Sequence, residues 1–144
     1  MFLKEMLRFY YSMSLNELRL MNERDYYRGL SYNSLLYLNV ITMMEDCTVT
    51  RLAAALHVTK PGVTLKVNEL VRQGAVVKRR SGRDRRVVQI ALSPGMEKTI
   101  HMYNDVFAEI GRNLEKAYSP EQLALFCTIL RSISEHEWQG AAHE

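Results

Sequence analysis

The sequence predicts a mainly α-helical fold with one small β-hairpin. Apolar residues recur every three or four positions in six segments, which is the period of an amphipathic helix. Residues that favour helix starts, such as Thr48, Thr59 and Ser119, stand before several of these segments. Between the fourth and fifth segments the pattern changes to two short β-prone runs around the polar stretch 81–85.

The first two helices are predicted from apolar spacing. One is expected over residues 1–21 and the next over residues 32–44. The polar segment 23–31 connects them, and Gly29 within it favours a turn.

The next two helices are short and closely spaced. Thr48 is a good N-cap for residues 49–56, and Thr59 for a helix that continues to about residue 73. Pro61 is tolerated in a first turn, and Gly74 is placed as a stop signal. The short break between them is the spacing of a helix-turn-helix. On the second of these helices, the expected buried face is Val63, Val67, Leu70 and Val71.

A hairpin and two longer helices complete the chain. Strands are expected over residues 75–80 and 86–92. Ser93-Pro94 opens a fifth helix, and the sequence Ser119-Pro120-Glu121-Gln122 is a capping box that opens a sixth. Both helices carry apolar stripes, which comprise Met96, Ile100, Tyr103, Phe107, Ile110 and Leu114, and Leu123, Phe126, Leu130 and Ile133.

Charge is distributed unevenly along the chain. Residues 60–86 contain nine basic and two acidic residues, a net charge of +7, whereas the rest of the chain carries −4. A basic cluster on an otherwise acidic protein is typical of polyanion binding. The cluster coincides with the predicted helix-turn-helix and hairpin, a combination known as a winged helix-turn-helix.

Several other classes of protein are disfavoured by the sequence. No apolar run is long enough for a membrane span and the N-terminus does not resemble a signal peptide, so we expect a cytoplasmic protein without a membrane partner. Neither a catalytic signature nor metal-ligand spacing is present, so we expect no enzyme, metal or cofactor. Cys47 and Cys127 are too few for a disulfide framework, and whether either senses redox state stays open.

The predicted site is the exposed face of the fourth helix together with the wing. The helix face is small, polar and basic, which suits a major groove, with Thr64 or Asn68 near base edges. Wing arginines suit an adjacent minor groove. The predicted DNA-binding residues are Thr59, Lys60, Pro61, Gly62, Thr64, Leu65, Lys66, Asn68, Arg83, Asp84, Arg85 and Arg86.

The run from Leu52 to Thr64, followed by Leu70, Gly74 and the wing with Asp84-Arg85-Arg86, resembles the MarR family of bacterial transcription regulators. The family's Asp-x-Arg element falls on Asp84, which the resemblance implies orients the wing, and on Arg86, which approaches DNA. The segment after the second strand departs from the family pattern by about one residue, so the start of the fifth helix is left open.

The resemblance also implies a homodimer, and proteins of this family often bind a small-molecule effector. The expected divisions are a dimerisation helix and connection (1–31), a DNA-binding domain (32–93) and dimerisation helices (94–144). Apolar stripes on the last two helices independently favour a dimer, with Trp138 among the interface residues. A small aromatic or phenolic ligand would lie near Tyr10, Tyr11, Tyr37, Met43, Met44 and His101, for which core packing is the alternative.

The expected function is therefore a ligand-responsive repressor that acts as a homodimer on a pseudo-palindromic operator. The alternative is a winged-helix protein that binds DNA non-specifically, or binds a protein partner, without ligand sensing. Contacts to phosphate carry no sequence information, so the wing arginines suit both hypotheses.

Overall fold

The computed structural model describes residues 1–23 and 29–136. The helices are α1 (Phe2–Glu23), α2 (Tyr32–Met43), α3 (Val49–Leu56), α4 (Lys60–Arg72), α5 (Pro94–Ala117) and α6 (Pro120–Ser134), and the strands are β1 (Val76–Arg80) and β2 (Val88–Leu92). The order is that predicted, and the bounds differ by one or two residues. Most of the predicted connection 23–31 lies outside the described residues, and so does Trp138.

Most helix starts are fixed by a hydroxyl that accepts a hydrogen bond from a backbone N–H of the first turn. Thr48 Oγ1 accepts from Arg51 N at 3.2 Å, and Thr59 Oγ1 accepts from Gly62 N at 3.3 Å. Ser93 Oγ accepts from Met96 N at 3.3 Å, so α5 begins at Pro94 despite the shortened segment before it.

The chain divides into two compact units, and the boundary lies within α5 between Ile100 and His101. The core of the first unit is drawn from α2, α3, α4, the hairpin and the start of α5. Its most deeply buried side chains are Ser34, Leu35, Leu38, Leu52, Val63, Val67, Leu70 and Val76.

The hairpin is a two-stranded antiparallel sheet in which Val76 pairs with Leu92 and Arg80 with Val88. The second strand was predicted to begin at Arg86, and this is wrong by two residues. The backbone N–H of Arg86 donates to the Asp84 side chain at 2.9 Å, and that of Val87 donates to the Asp84 carbonyl at 3.0 Å. Both N–H groups therefore close the turn, and the last cross-strand bond beyond the strands runs from Ser81 N to Val87 O at 2.9 Å.

A backbone contact fastens the hairpin to the turn before α3. Ile90 N donates to Cys47 O at 2.8 Å, and Gln89 Nε2 donates to Asp46 Oδ1 at 2.7 Å. This turn contains Asp46 in a left-handed conformation with φ 49°. The base of the wing is thus held to the helix-turn-helix by residues that are distant in sequence.

The described part of the second unit consists of the remainder of α5 and α6. Ser119 and Gln122 form the predicted capping box at the start of α6. None of the α6 residues is fully buried, and large apolar side chains are exposed on both helices: Val106, Phe107, Ile110, Leu125, Phe126, Ile129, Leu130 and Ile133. Across the described residues of both units, no helix has the length and apolar character of a membrane span.

Candidate nucleic-acid interface

The turn between α3 and α4 sets the position of the candidate recognition helix. His57 adopts a left-handed conformation with φ 53° and ends α3. Its N–H and that of Val58 donate to the carbonyls of Ala54 and Ala53, at 3.3 and 3.1 Å. Thr59 then caps α4, so the two helices are joined by three residues with defined backbone partners.

Opposite sides of α4 have opposite character. Val63, Val67 and Leu70 are fully buried. An α-helix turns by about 100° per residue, so Pro61, Leu65, Asn68 and Arg72 form a stripe roughly opposite that buried centre. All four are exposed, and Leu65 retains 72% of its accessible surface. We call these four residues the recognition stripe.

Lys60 and Gly62 are exposed at the start of α4, and Thr64 is half-buried beside the stripe. The Thr64 hydroxyl donates its proton to Lys60 O at 2.9 Å, within the same helix. It can therefore act only as an acceptor towards a base while this bond is kept. The predicted burial of Val71 is wrong, because this residue is 37% exposed. It lies about 100° around the helix from Leu70, at the edge of the buried face.

The prediction that Lys66 belongs to the DNA-facing side is also wrong. Its side chain is only 14% exposed, and Nζ donates to Ser34 Oγ at 2.9 Å. The same Nζ lies 3.1 Å from Glu69 Oε1. Lys66 is roughly 60° around the helix from Val63, which turns it towards α2. The ammonium group therefore satisfies the buried Ser34 hydroxyl instead of reaching outwards.

Asn68 is exposed as predicted, but it has a partner that the sequence did not reveal. Lys78 Nζ on β1 donates to Asn68 Oδ1 at 2.7 Å. An amide oxygen has two lone pairs, so it keeps one acceptor site, and the Nδ2 donors remain free of this contact. Lys78 is thus a member of the candidate interface that was missed.

The wing tip is ordered by its own side chains. Asp84 accepts from Arg86 N, as described above, and Ser81 Oγ accepts from Arg83 N at 3.2 Å. The exposed arginines of the hairpin are Arg79, Arg80, Arg83, Arg85 and Arg86. Among residues 1–23 and 29–136, none of these arginines forms an ion pair with a carboxylate. The wing therefore presents a dense positive charge that its described surroundings do not neutralise.

Cys47 lies at the base of the interface and is buried. Burial raises the pKa of its thiol, and the nearby Arg51 guanidinium opposes this only in part. A thiol with a raised pKa is a poor nucleophile at neutral pH. Cys127, in the second unit, is exposed.

The residues predicted to line a ligand pocket occupy different surroundings. Tyr10 and Tyr11 are exposed on α1 with ring centroids 5.7 Å apart, and Met43 is 85% exposed at the end of α2. Tyr37 and Met44 are half-buried, and the His101 side chain lies outside the described part of the structure. An apolar groove on α1 includes Tyr11 but none of the other five residues; it is lined by Met1, Leu3, Lys4, Leu7, Arg8 and Tyr11. Within the described ranges, no three His, Cys, Asp or Glu side chains gather at a possible metal site.

Residues 28–87, which contain the helix-turn-helix and most of the wing, match the model of the MarR family. Residues 28–87 therefore belong to a winged helix of the MarR family. The match confirms the resemblance seen in the sequence, and the hairpin beside a helix-turn-helix confirms the predicted fold. It supports the broad class of DNA-binding transcription regulators and fits the expectation of a non-enzymatic protein. No curated protein matches the sequence.

Three solved structures illustrate the similarity of the MarR-family winged helix and its flanking helices. Streptococcus pneumoniae FabT in complex with DNA is 23% identical, with a TM-score of 0.57, over 92% of this chain and 95% of that one. The adhesin competence repressor AdcR from Streptococcus pyogenes is 23% identical, with a TM-score of 0.57, over 92% and 96%. Apo MarR from E. coli is 20% identical, with a TM-score of 0.50, over 88% and 94%. At these identities the likeness establishes the fold.

Proposed function

We propose that this protein is a sequence-specific transcription regulator, a ligand-responsive repressor that binds a pseudo-palindromic operator as a homodimer in the cytoplasm. The observation that carries the DNA-binding part is the recognition stripe of α4 beside a wing with five exposed arginines. Similarity to FabT, which was solved in complex with DNA, supports the same conclusion.

In this proposal α4 enters the major groove and the wing reaches the adjacent minor groove. The recognition stripe supplies base contacts, because it is the exposed side of a helix whose other side is buried. Arg83, Arg85 and Arg86 supply charge for a narrow minor groove. Asp84 holds the loop that carries Arg86 through the bond to its backbone N–H.

The dimer is supported by apolar surface that a single chain leaves in water. On α1 it includes Phe2, Leu3, Leu7, Phe9, Tyr10, Tyr11, Leu15 and Leu18. On α6, Leu125, Phe126, Ile129, Leu130 and Ile133 are also exposed. Exposed apolar surface of this extent is typical of interaction surfaces. The proposed divisions are 1–31 and 94–144 for dimerisation and 32–93 for DNA binding.

A dimer with two-fold symmetry would place its recognition helices on half-sites about ten base pairs apart. The effector part of the proposal comes from the resemblance to the family. It places a small aromatic or phenolic ligand between the dimerisation and DNA-binding parts, where it would shift the spacing of the two α4 helices.

Salt dependence of DNA binding tests the interface. Fluorescence anisotropy on a labelled duplex would be measured over a range of salt for the wild type and for Arg83→Ala/Arg86→Ala. The slope of log K against log salt should become less negative by about 0.9 for each phosphate that the variant no longer neutralises. Lys98→Ala/Lys116→Ala changes the net charge equally at exposed residues outside the interface, and its slope should equal that of the wild type.

Equal slopes for the wild type and the wing variant would contradict the assignment of the wing. Sedimentation of the same samples tests the dimer, and a monomer at micromolar concentration would contradict it. Binding that is equal on all duplexes would favour the alternative, a winged helix that binds DNA by charge alone.

A further inference from the structure

The recognition stripe has few cations, although it lies within the basic segment 60–86. Its cation, Arg72, stands in the last turn, and Lys60 stands at the first residue of α4. The lysine between them, Lys66, is held against Ser34 and Glu69. The side chains of α4 in the middle of this face therefore present hydrocarbon and one amide, and the adjacent ammonium of Lys78 on β1 donates to that amide.

Leu65 is the most exposed large apolar side chain of the helix-turn-helix, and its isobutyl group can offer only apolar contact. In the major groove, the thymine C5-methyl is the hydrocarbon group that such a side chain can contact. Guanine is usually read by arginine or lysine through O6 and N7, which requires a cation in this position. The side chain present therefore favours an A·T over a G·C base pair.

Asn68 follows Leu65 by three residues and lies on the same face of α4. An asparagine reads adenine with Oδ1 accepting from N6 and Nδ2 donating to N7. The bond from Lys78 Nζ at 2.7 Å determines which end of the amide points to the wing. It leaves Nδ2 for N7 and one lone pair of Oδ1 for N6.

Resting on the proposed function, we infer that the middle of each operator half-site consists of A·T base pairs. One thymine methyl packs against Leu65 and one adenine is read by Asn68. Lys78 does not read a base; it is a positioning residue that sets the orientation of the Asn68 amide.

The test begins with duplexes recovered by the full-length protein from a random-sequence library. Each thymine of one half-site is then replaced by deoxyuridine, which removes the methyl group and keeps base pairing. At one position the wild type should lose affinity by roughly fourfold, the effect of exposing one methyl-sized group. Leu65→Ala should bind the two duplexes equally, since it lacks the contacting group.

The adenine contact is tested with 7-deazaadenine, which lacks the N7 acceptor. At one position the wild type should lose affinity by about five- to a hundredfold, and Asn68→Ala should lose none on the same change. Lys78→Met should reduce the preference for adenine at that position, and Lys78→Arg should restore most of it. A purely electrostatic role for Lys78 would lower affinity equally on all four bases and would overturn its positioning role.

Different outcomes would contradict the A·T half-site and the proposed regulator function. A two-fold-symmetric motif with guanine at the half-site centre, insensitive to uracil and deazaadenine, would overturn the inference and leave a sequence-specific regulator. Recovery of no motif would contradict the proposed function itself. Thermal melting of Leu65→Ala and Asn68→Ala should match the wild type, since both side chains are exposed.

Discussion

Replacing Lys66 by alanine separates a structural lysine from a DNA-contacting one. Its Nζ donates to the buried Ser34 hydroxyl at 2.9 Å and pairs with Glu69 at 3.1 Å. A hydrogen bond from a charged group contributes about 1.5–3 kcal/mol. The ion pair adds only about 0.5 kcal/mol, because the Glu69 side chain is 40% exposed. The free energy of unfolding should therefore fall by about 2–3.5 kcal/mol.

For a chain of this length the loss corresponds to a decrease in Tm of roughly 7–12 °C. Calorimetry would measure it on the wild type, Lys66→Ala and Lys60→Ala. Lys60 is exposed at the start of the same helix, so its replacement should change stability by less than about 0.5 kcal/mol. In DNA titrations at a temperature where all three are folded, the salt slope should change by about 0.9 for Lys60→Ala and should not change for Lys66→Ala. An unchanged Tm for Lys66→Ala together with a reduced slope would show that Lys66 contacts DNA and does not stabilise the fold.

Other predictions concern the wing, the core, a turn and a thiol. Asp84→Ala removes a negative charge, yet DNA binding should weaken by about fivefold because the Arg86 backbone bond is lost; tighter binding would contradict the orienting role. Leu70→Ala, at a fully buried position, should cost about 2–5 kcal/mol in denaturant unfolding. Gly74→Ala should cost about 1 kcal/mol from its left-handed φ of 71°, without a steric clash, because nothing lies within 4 Å of the added Cβ. In a Cys127→Ser background, Cys47 should react with a disulfide probe much more slowly in the native protein than in the urea-unfolded protein at pH 8. The rate in the native protein should rise as the pH approaches the raised pKa of the Cys47 thiol. Equal rates in the native and unfolded proteins would contradict the burial of Cys47.

Helix starts were predictable because their determinants are local. Thr48, Thr59 and Ser119 each stand three residues before the N–H that they accept from. Gly74 stops α4 in the left-handed conformation that a glycine adopts without strain. The MarR-family resemblance came from the same stretch of sequence, and it located the wing correctly.

Contacts between distant residues were not predictable from periodicity. Lys66 was placed on the outer face because nothing in the helix pattern shows that Ser34 lies within reach of it. The bond between Lys78 and Asn68 spans α4 and β1, and it depends on the packing of the strand against the helix. The second strand begins at Val88 and not at Arg86, because the backbone N–H groups of Arg86 and Val87 donate to Asp84 within the turn.

In the proposed function, a dimer binds DNA sequence-specifically through α4 and the wing. The most direct measurement is affinity selection of sheared genomic DNA by the purified protein at physiological salt, followed by sequencing of the retained fragments. We expect enrichment of a few fragments that share a two-fold-symmetric motif with half-sites about one helical turn apart. Uniform retention of all fragments, or retention of none, would contradict it.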